Sequence, residues 1–173
     1  MPEHRLILTG FMGSGKSSVG ALLARKLPCR FVDLDSEIVA ITGRQINEIF
    51  LRDGEAAFRL LESQQLKRVL SECEKVVIAT GGGVVIEDQN RRLMRKSGIT
   101  VNLKVSLEQV MTRLHGCTNR PLLAGGTAPE RIKALMEARE DFYADADIQI
   151  DTDGKSVEDV AMEILNSLDG LSA

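Results

Sequence analysis

The sequence predicts an α/β protein built on a parallel sheet with helices on both faces. Three observations lead there. Short apolar runs alternate with helix-period segments along nearly the whole chain, a pattern that needs crossover connections. The first apolar run, Arg5-Leu6-Ile7-Leu8-Thr9, feeds a glycine-containing turn and then Val19, Leu22, Leu23 and Leu27 at helical spacing. The length of 173 residues, with 43% hydrophobic and 27% charged side chains, suits one domain spanning 1–173 with a sizeable core.

The elements follow in order. After the first helix, Arg30-Phe31-Val32-Asp33 reads as a second strand. Three helical pieces are expected at about Ser36–Thr42, Gln45–Leu51 and Gly54–Ser71, with Gly43 breaking the first from the second. Lys75–Ala79 is a third strand running into Thr80-Gly81-Gly82-Gly83. A helix at Glu87–Lys96 and a strand at Ile99–Lys104 come next. Ser106-Leu107-Glu108-Gln109 is a capping box, and Leu107, Val110, Met111 and Leu114 give its helix one apolar face. His115 to Gly126 reads as a loop. Thr127-Ala128-Pro129-Glu130 is another capping box, starting a helix to about Tyr143; Asp147–Asp151 is a fifth strand, and Ser156-Val157-Glu158-Asp159 starts the last helix.

Ligands of such sheets bind beyond the carboxyl ends of the strands. Three stretches fall there: Gly10–Ser17, Asp33–Asp35 and Thr80–Gly83. The first, Gly10-Phe11-Met12-Gly13-Ser14-Gly15-Lys16-Ser17, is a G-x-x-x-x-G-K-S phosphate-binding loop in its required strand–loop–helix setting. Its glycines let main-chain N–H groups approach phosphate oxygens, and the helix N-terminus adds further donors. Gly13, Ser14, Gly15, Lys16, Ser17 and Ser18 are therefore the expected nucleotide set. Lys16 is expected to reach the β- and γ-phosphates of a nucleotide, and the Ser17 hydroxyl to ligate Mg²⁺.

Asp33 ends its strand as an acidic residue that helps hold Mg²⁺. Asp35 has two open readings, a carboxylate for a substrate hydroxyl or simply the N-cap of the next helix. Gly81, Gly82 and Gly83 suit close backbone approach to a ligand. Arg59 and Glu62, three apart, read first as an intrahelical ion pair. Arg139 continues the apolar stripe of Ile132, Leu135 and Met136, so it either snorkels past the core edge or meets an anion in a cleft. Arg113 and Arg120 flank or occupy the loop and are candidates for nucleotide and phosphate contacts, with plain solvation as the alternative.

A net charge of −3 offers no basic field for nucleic acid or an anionic membrane. The first residues lack a secretory signal and no run is long enough for a membrane span, so a cytoplasmic protein is expected. Cys29, Cys73 and Cys117 lie far apart, and with His4 and His115 they form no zinc pattern. Reduced thiols are expected. Cys117, His4 and His115 read as surface residues. A nucleotide switch is the rival from another class, but a GTPase would carry an Asn-Lys-x-Asp motif, which this sequence lacks.

The phosphate-binding loop together with Asp33-Leu34-Asp35, Gly54-Glu55-x-x-Phe58-Arg59, Thr80-Gly81-Gly82-Gly83, Asn119-Arg120-Pro121-Leu122-Leu123 and Arg139 resembles shikimate kinase over about residues 5–168. The resemblance implies a P-loop three-layer sandwich like that of the nucleoside monophosphate kinases, with five parallel strands in the order 2-3-1-4-5. It implies an acceptor-binding helical insertion at about 34–62 and a lid at about 115–126. The implied reaction is ATP-dependent phosphorylation of the shikimate 3-hydroxyl, in the chorismate route to aromatic amino acids. Residues matching Asp35, Arg59, Gly82 and Arg139 hold shikimate in that family, and those matching Phe50, Phe58 and Glu62 line or support the pocket. The Arg113 match packs on adenine and the Arg120 match closes over the phosphates. Lys16, Asp35 and Arg120 are thus the expected catalytic set, in a monomer. Val39 departs from the family, standing where many members carry Glu. A gluconate kinase-like enzyme on the same architecture is the alternative.

Overall fold

The computed structural model describes residues 5–115 and 129–171. Arg120, Cys117, His4, most of the expected lid and the cap of the helix beginning near residue 129 lie outside them. Five parallel strands form one sheet in the order β2-β3-β1-β4-β5. They are β1 (Arg5–Gly10), β2 (Arg30–Asp33), β3 (Val76–Ala79), β4 (Gly98–Lys104) and β5 (Ile148–Asp151). The helices are α1 (Lys16–Lys26), α2 (Leu34–Thr42), α3 (Ile46–Asp53), α4 (Glu55–Glu72), α5 (Asp88–Ser97), α6 (Leu107–Leu114), α7 (Pro129–Ala144) and α8 (Val157–Leu171). No helix among the described residues is long and apolar enough to cross a membrane.

Strand alternation splits the core into two layers. Ile7, Val32 and Ile78 point to one face and pack with Leu66 and Val69 of α4, Met94 of α5 and Ile132 of α7. Leu6, Leu8, Val77, Val101 and Leu103 point to the other, against Val19 and Leu23 of α1 and Ile164 and Leu168 of α8. The helices after β2 have a small core of their own, Ile38, Ile49 and Phe58. That cluster ties α2, α3 and the start of α4 together.

Half of the capping box expected at Ser106 forms: Ser106 Oγ accepts from Gln109 N at 3.2 Å, while Ser106 N donates to Asp153 Oδ1 at 3.0 Å. A reciprocal cap opens α8, where the sequence marked only the start of a helix. Ser156 Oγ accepts from Asp159 N at 3.1 Å while the Asp159 carboxylate accepts from Ser156 N at 3.1 Å. The start of α2 differs from expectation. The helix begins at Leu34 with no intervening loop, because Asp33 is its cap: Oδ1 accepts from Ser36 N at 3.1 Å. The N-cap reading of Asp35 is thereby corrected. A 3-10 turn, Val84–Ile86, follows the three glycines and was not anticipated.

β4 begins one residue earlier than expected, at Gly98, which pairs with Arg5. A Cβ at Gly98 would run into the Arg5 backbone carbonyl. Backbone in a sheet yields little, so Gly98→Ala is expected to cost about 1–3 kcal/mol. A thermal melt checks it: the midpoint should fall by several degrees with activity per folded molecule retained, and an unmoved midpoint would refute the close approach.

Candidate active site

The phosphate-binding loop runs from the end of β1 to the start of α1. Gly15, the residue before α1, has φ 94°, a left-handed conformation that glycine adopts without strain. Lys16 is buried, and its Nζ donates to the Gly10 carbonyl at 2.6 Å and the Phe11 carbonyl at 3.0 Å. Ser14 Oγ lies 3.5 Å from the same ammonium. The Ser17 hydroxyl donates to Asp33 Oδ2 at 2.5 Å, which joins the loop to the end of β2. Arg113, in the last turn of α6, donates from Nη1 to the Gly13 carbonyl at 2.6 Å and so stands against the outside of the loop.

A cleft of about 590 Å³ opens beside this loop. Gly13, Gly15, Lys16, Ser17, Ser18 and Asp33 line one end. Asp35, Arg59, Gly81, Gly82, Gly83 and Arg139 line the other, with Phe50 and Phe58. The two aromatic rings stack tilted, centroids 4.7 Å apart, and make an apolar wall. Of the expected site residues within the described chain, only Ser14 and Arg113 stand outside the lining, and both hold the loop instead.

The acceptor end gathers charge in a buried place. Arg59 makes the intrahelical pair its spacing suggested, Nη1 to Glu62 Oε2 at 2.9 Å, and a second to Glu55 Oε1 at 3.2 Å. Glu62 is only 1% exposed. Burial pushes its carboxyl above the usual carboxylate range; the Arg59 guanidinium pulls it back, Asp35 adds to the rise, and Arg139 opposes it. Glu62 Oε1 has no hydrogen-bond partner among the described residues.

Arg139 resolves its two readings. It is 4% exposed, so it does not snorkel; it lines the cleft. Its Nη1 would stand 3.6 Å from a Cβ on Gly82, and Nη1 has no hydrogen-bond partner among the described residues. Arg59 and Arg139, from α4 and α7, therefore meet in one cleft. Glu62, ion-paired to Arg59 and within the field of Arg139, relieves part of their mutual repulsion, and its influence on Arg139 the sequence did not disclose.

The glycines make this packing possible. A Cβ on Gly81 would run into the Glu62 carboxylate and sit 3.1 Å from Asp35 Oδ1, and a Cβ on Gly83 would run into the Arg59 guanidinium. Sequence reasoning also passed over Tyr143. Its hydroxyl donates to the Gly82 carbonyl. The signal available was its spacing: one helical turn after the arginine that breaks the apolar stripe.

Comparison with known proteins agrees with this geometry. The family model described as shikimate kinase matches residues 12–169. A shikimate kinase of Geobacter metallireducens is 54% identical over 167 residues, covering 96% of this chain and 93% of that protein. The structure of a shikimate kinase from Acinetobacter baumannii in complex with shikimate superposes with a TM-score of 0.91 at 33% identity, covering 95% of this chain and 92% of that one. A gluconokinase from Sinorhizobium meliloti superposes with a TM-score of 0.66 at 19% identity, covering 98% of this chain and 93% of that one, which is a likeness of fold alone.

Proposed function

The chain belongs to the shikimate kinase family, and from that premise we propose how its cleft moves the γ-phosphoryl group of ATP to the 3-hydroxyl of shikimate. It is an ATP-dependent phosphotransferase with an alcohol acceptor. The observation that carries the assignment of roles is the meeting of Arg59 and Arg139 opposite the phosphate-binding loop, with Asp35 in the same cleft.

Two guanidinium groups facing the acceptor end call for an acceptor anion, and the shikimate carboxylate suits two forked donors. The Gly81–Gly83 backbone lies against the ring, which the Phe50–Phe58 wall helps enclose. This leaves the hydroxyl to be phosphorylated near Asp35. There the hydroxyl oxygen attacks the γ-phosphorus, the bridging β–γ bond breaks, ADP leaves, and Asp35 takes the proton. Positioning and electrostatics matter more here than basicity. Lys16 and the loop amides, with Ser18, neutralise the phosphates. Arg113 packs beside the adenine. Arg120 reaches the transferring phosphate as the 115–126 lid closes and water is excluded.

Ser17 and Asp33 present an alcohol and a carboxylate, hard oxygen donors that fit Mg²⁺. That ion needs few protein ligands because phosphate and water oxygens complete its octahedron, so the lack of a larger acidic or histidine cluster among the described residues is no obstacle. Bound there, Mg²⁺ would offset charge on the β- and γ-phosphates. The proposal extends to one domain with residues 34–62 as the acceptor-side insertion. It extends also to a monomer in the cytoplasm that engages neither nucleic acid nor membrane, in keeping with a net charge of −3.

A coupled assay of ADP release with shikimate, gluconate or no acceptor tests the reading. Only shikimate should support turnover; equal rates with gluconate would overturn the acceptor. In the same assay, Arg59→Lys and Arg139→Lys should each raise the KM for shikimate about ten- to a hundredfold. A lost charge-assisted bond costs about 1.5–3 kcal/mol. The KM for ATP should change little. A matching rise for ATP would place these arginines elsewhere in the mechanism.

A further inference from the structure

The strip Gly81–Gly83 has no side chains to pack, so its position rests on what holds its backbone. The Gly81 carbonyl accepts from Val84 N at 3.2 Å and the Gly83 carbonyl from Ile86 N at 3.1 Å. Both bonds belong to the 3-10 turn and are local. The Gly82 carbonyl is held from a distant helix, by the hydroxyl of Tyr143. Tyr143 lies one turn beyond Arg139 on α7 and is 8% exposed.

Tyr143 is itself braced from below. Its backbone carbonyl accepts from Gln149 Nε2 on β5 at 3.0 Å, and Gln149 Oε1 accepts from Asn102 Nδ2 on β4 at 2.8 Å. The end of α7 is thus tied to the sheet, and the glycine strip is tied to α7. Burial raises the phenol above the ordinary tyrosine range, against the pull of the Arg139 and Arg59 guanidiniums, so the hydroxyl keeps its proton and stays a donor.

We infer that Tyr143 is a positioning residue for the acceptor, whose hydroxyl sets the spacing between the Gly82 backbone and the Arg139 guanidinium so that both grip one molecule. This rests on the reading above that Gly82 and Arg139 serve the acceptor. A buried tyrosine filling the core would explain the burial, but it would not need its hydroxyl on the one glycine carbonyl that the 3-10 turn leaves over. The phosphate-binding loop has bonds of its own, from Ser14 N to the Phe11 carbonyl at 3.1 Å and from Lys16 Nζ to the Gly10 carbonyl at 2.6 Å.

Tyr143→Phe removes the hydroxyl and keeps the ring. The KM for shikimate should rise roughly five- to tenfold, about what one buried hydrogen bond is worth. In the same variant kcat should stay within about twofold and the KM for ATP should be unmoved. A merely structural role would lower the folded fraction instead, reducing apparent kcat with both KM values unchanged. A second readout needs no variant. The chain has one tyrosine and no tryptophan, so its tyrosine emission comes from Tyr143 alone. Shikimate should change that emission saturably, with the half-point found by calorimetry, while ATP alone should not.

If the wild type neither binds nor phosphorylates shikimate, the functional reading fails. If it does both, but Tyr143→Phe keeps the wild-type KM, the positioning role is wrong and the functional reading stands. Should Tyr143→Phe not fold, the emission titration decides: a signal blind to saturating shikimate overturns the inference.

Discussion

Lys16→Met is expected to abolish turnover and leave the fold standing. The ammonium is held by loop carbonyls, 2.6 Å from Gly10 O and 3.0 Å from Phe11 O, at the mouth of the cleft. Methionine keeps most of the length and removes the charge. The lysine's bonds brace the loop, but its glycines and the start of α1 at their end also set its shape, so the fold should stand without them. What is lost is the one fixed charge of the loop aimed at the phosphates. Removing a single preorganised donor from a transition state costs about 10²–10³ in rate, and a full charge on the transferring group should cost at least that. Activity measured beside a thermal melt checks both halves. Near-normal activity would refute the phosphate-binding assignment.

Asp35→Asn is the second large effect. Asparagine keeps the shape and loses charge and basicity. Because Asp33 caps α2, Asp35 is not needed to start the helix, and the fold should survive. It should even ease Glu62, whose carboxyl is pushed up partly by the Asp35 charge. Turnover should drop by about 10²–10⁴, the usual worth of a positioned general base, while ATP binds as before. Asp33→Asn should behave differently. Its carboxylate meets the Ser17 hydroxyl, so the defect should be eased by added Mg²⁺. Full activity in Asp35→Asn, or magnesium-independent behaviour in Asp33→Asn, would break the division of labour.

How much of this was legible depends on how local each signal is. The phosphate-binding loop is eight contiguous residues between a strand and a helix, and every part of it lies in sequence order. The cap at Ser106 is equally local, and its hydroxyl half forms. The start of α2 was misread by two residues because a strand passing straight into a helix leaves no loop signal. The anomaly at Arg139 was visible as a break in the Ile132, Leu135, Met136 stripe. Its destination was not, because that depends on α7 packing against the glycines and turn that follow β3. The same holds for Glu62. Its ion pair with Arg59 follows from spacing of three residues, whereas its reach to Gly81 follows from the absence of a Cβ there. The tie from Tyr143 to Gly82 spans 61 residues, and no periodicity reports it.

The central claim is that Arg59 and Arg139 read an acceptor carboxylate, and one comparison tests it most directly. Initial rates of ADP release are measured for the wild-type enzyme with shikimate and with its analogue in which the carboxylate is reduced to an alcohol. Arg139 is buried with Nη1 lacking a partner among the described residues, and Arg59 Nε also lacks one despite its ion pairs, so an acceptor without a carboxylate leaves these donors unanswered. The alcohol should be a poor acceptor for the wild type and nearly as poor for Arg59→Lys and Arg139→Lys, whose discrimination between the two should shrink. If the wild type phosphorylates the alcohol as well as shikimate, the clamp does not exist.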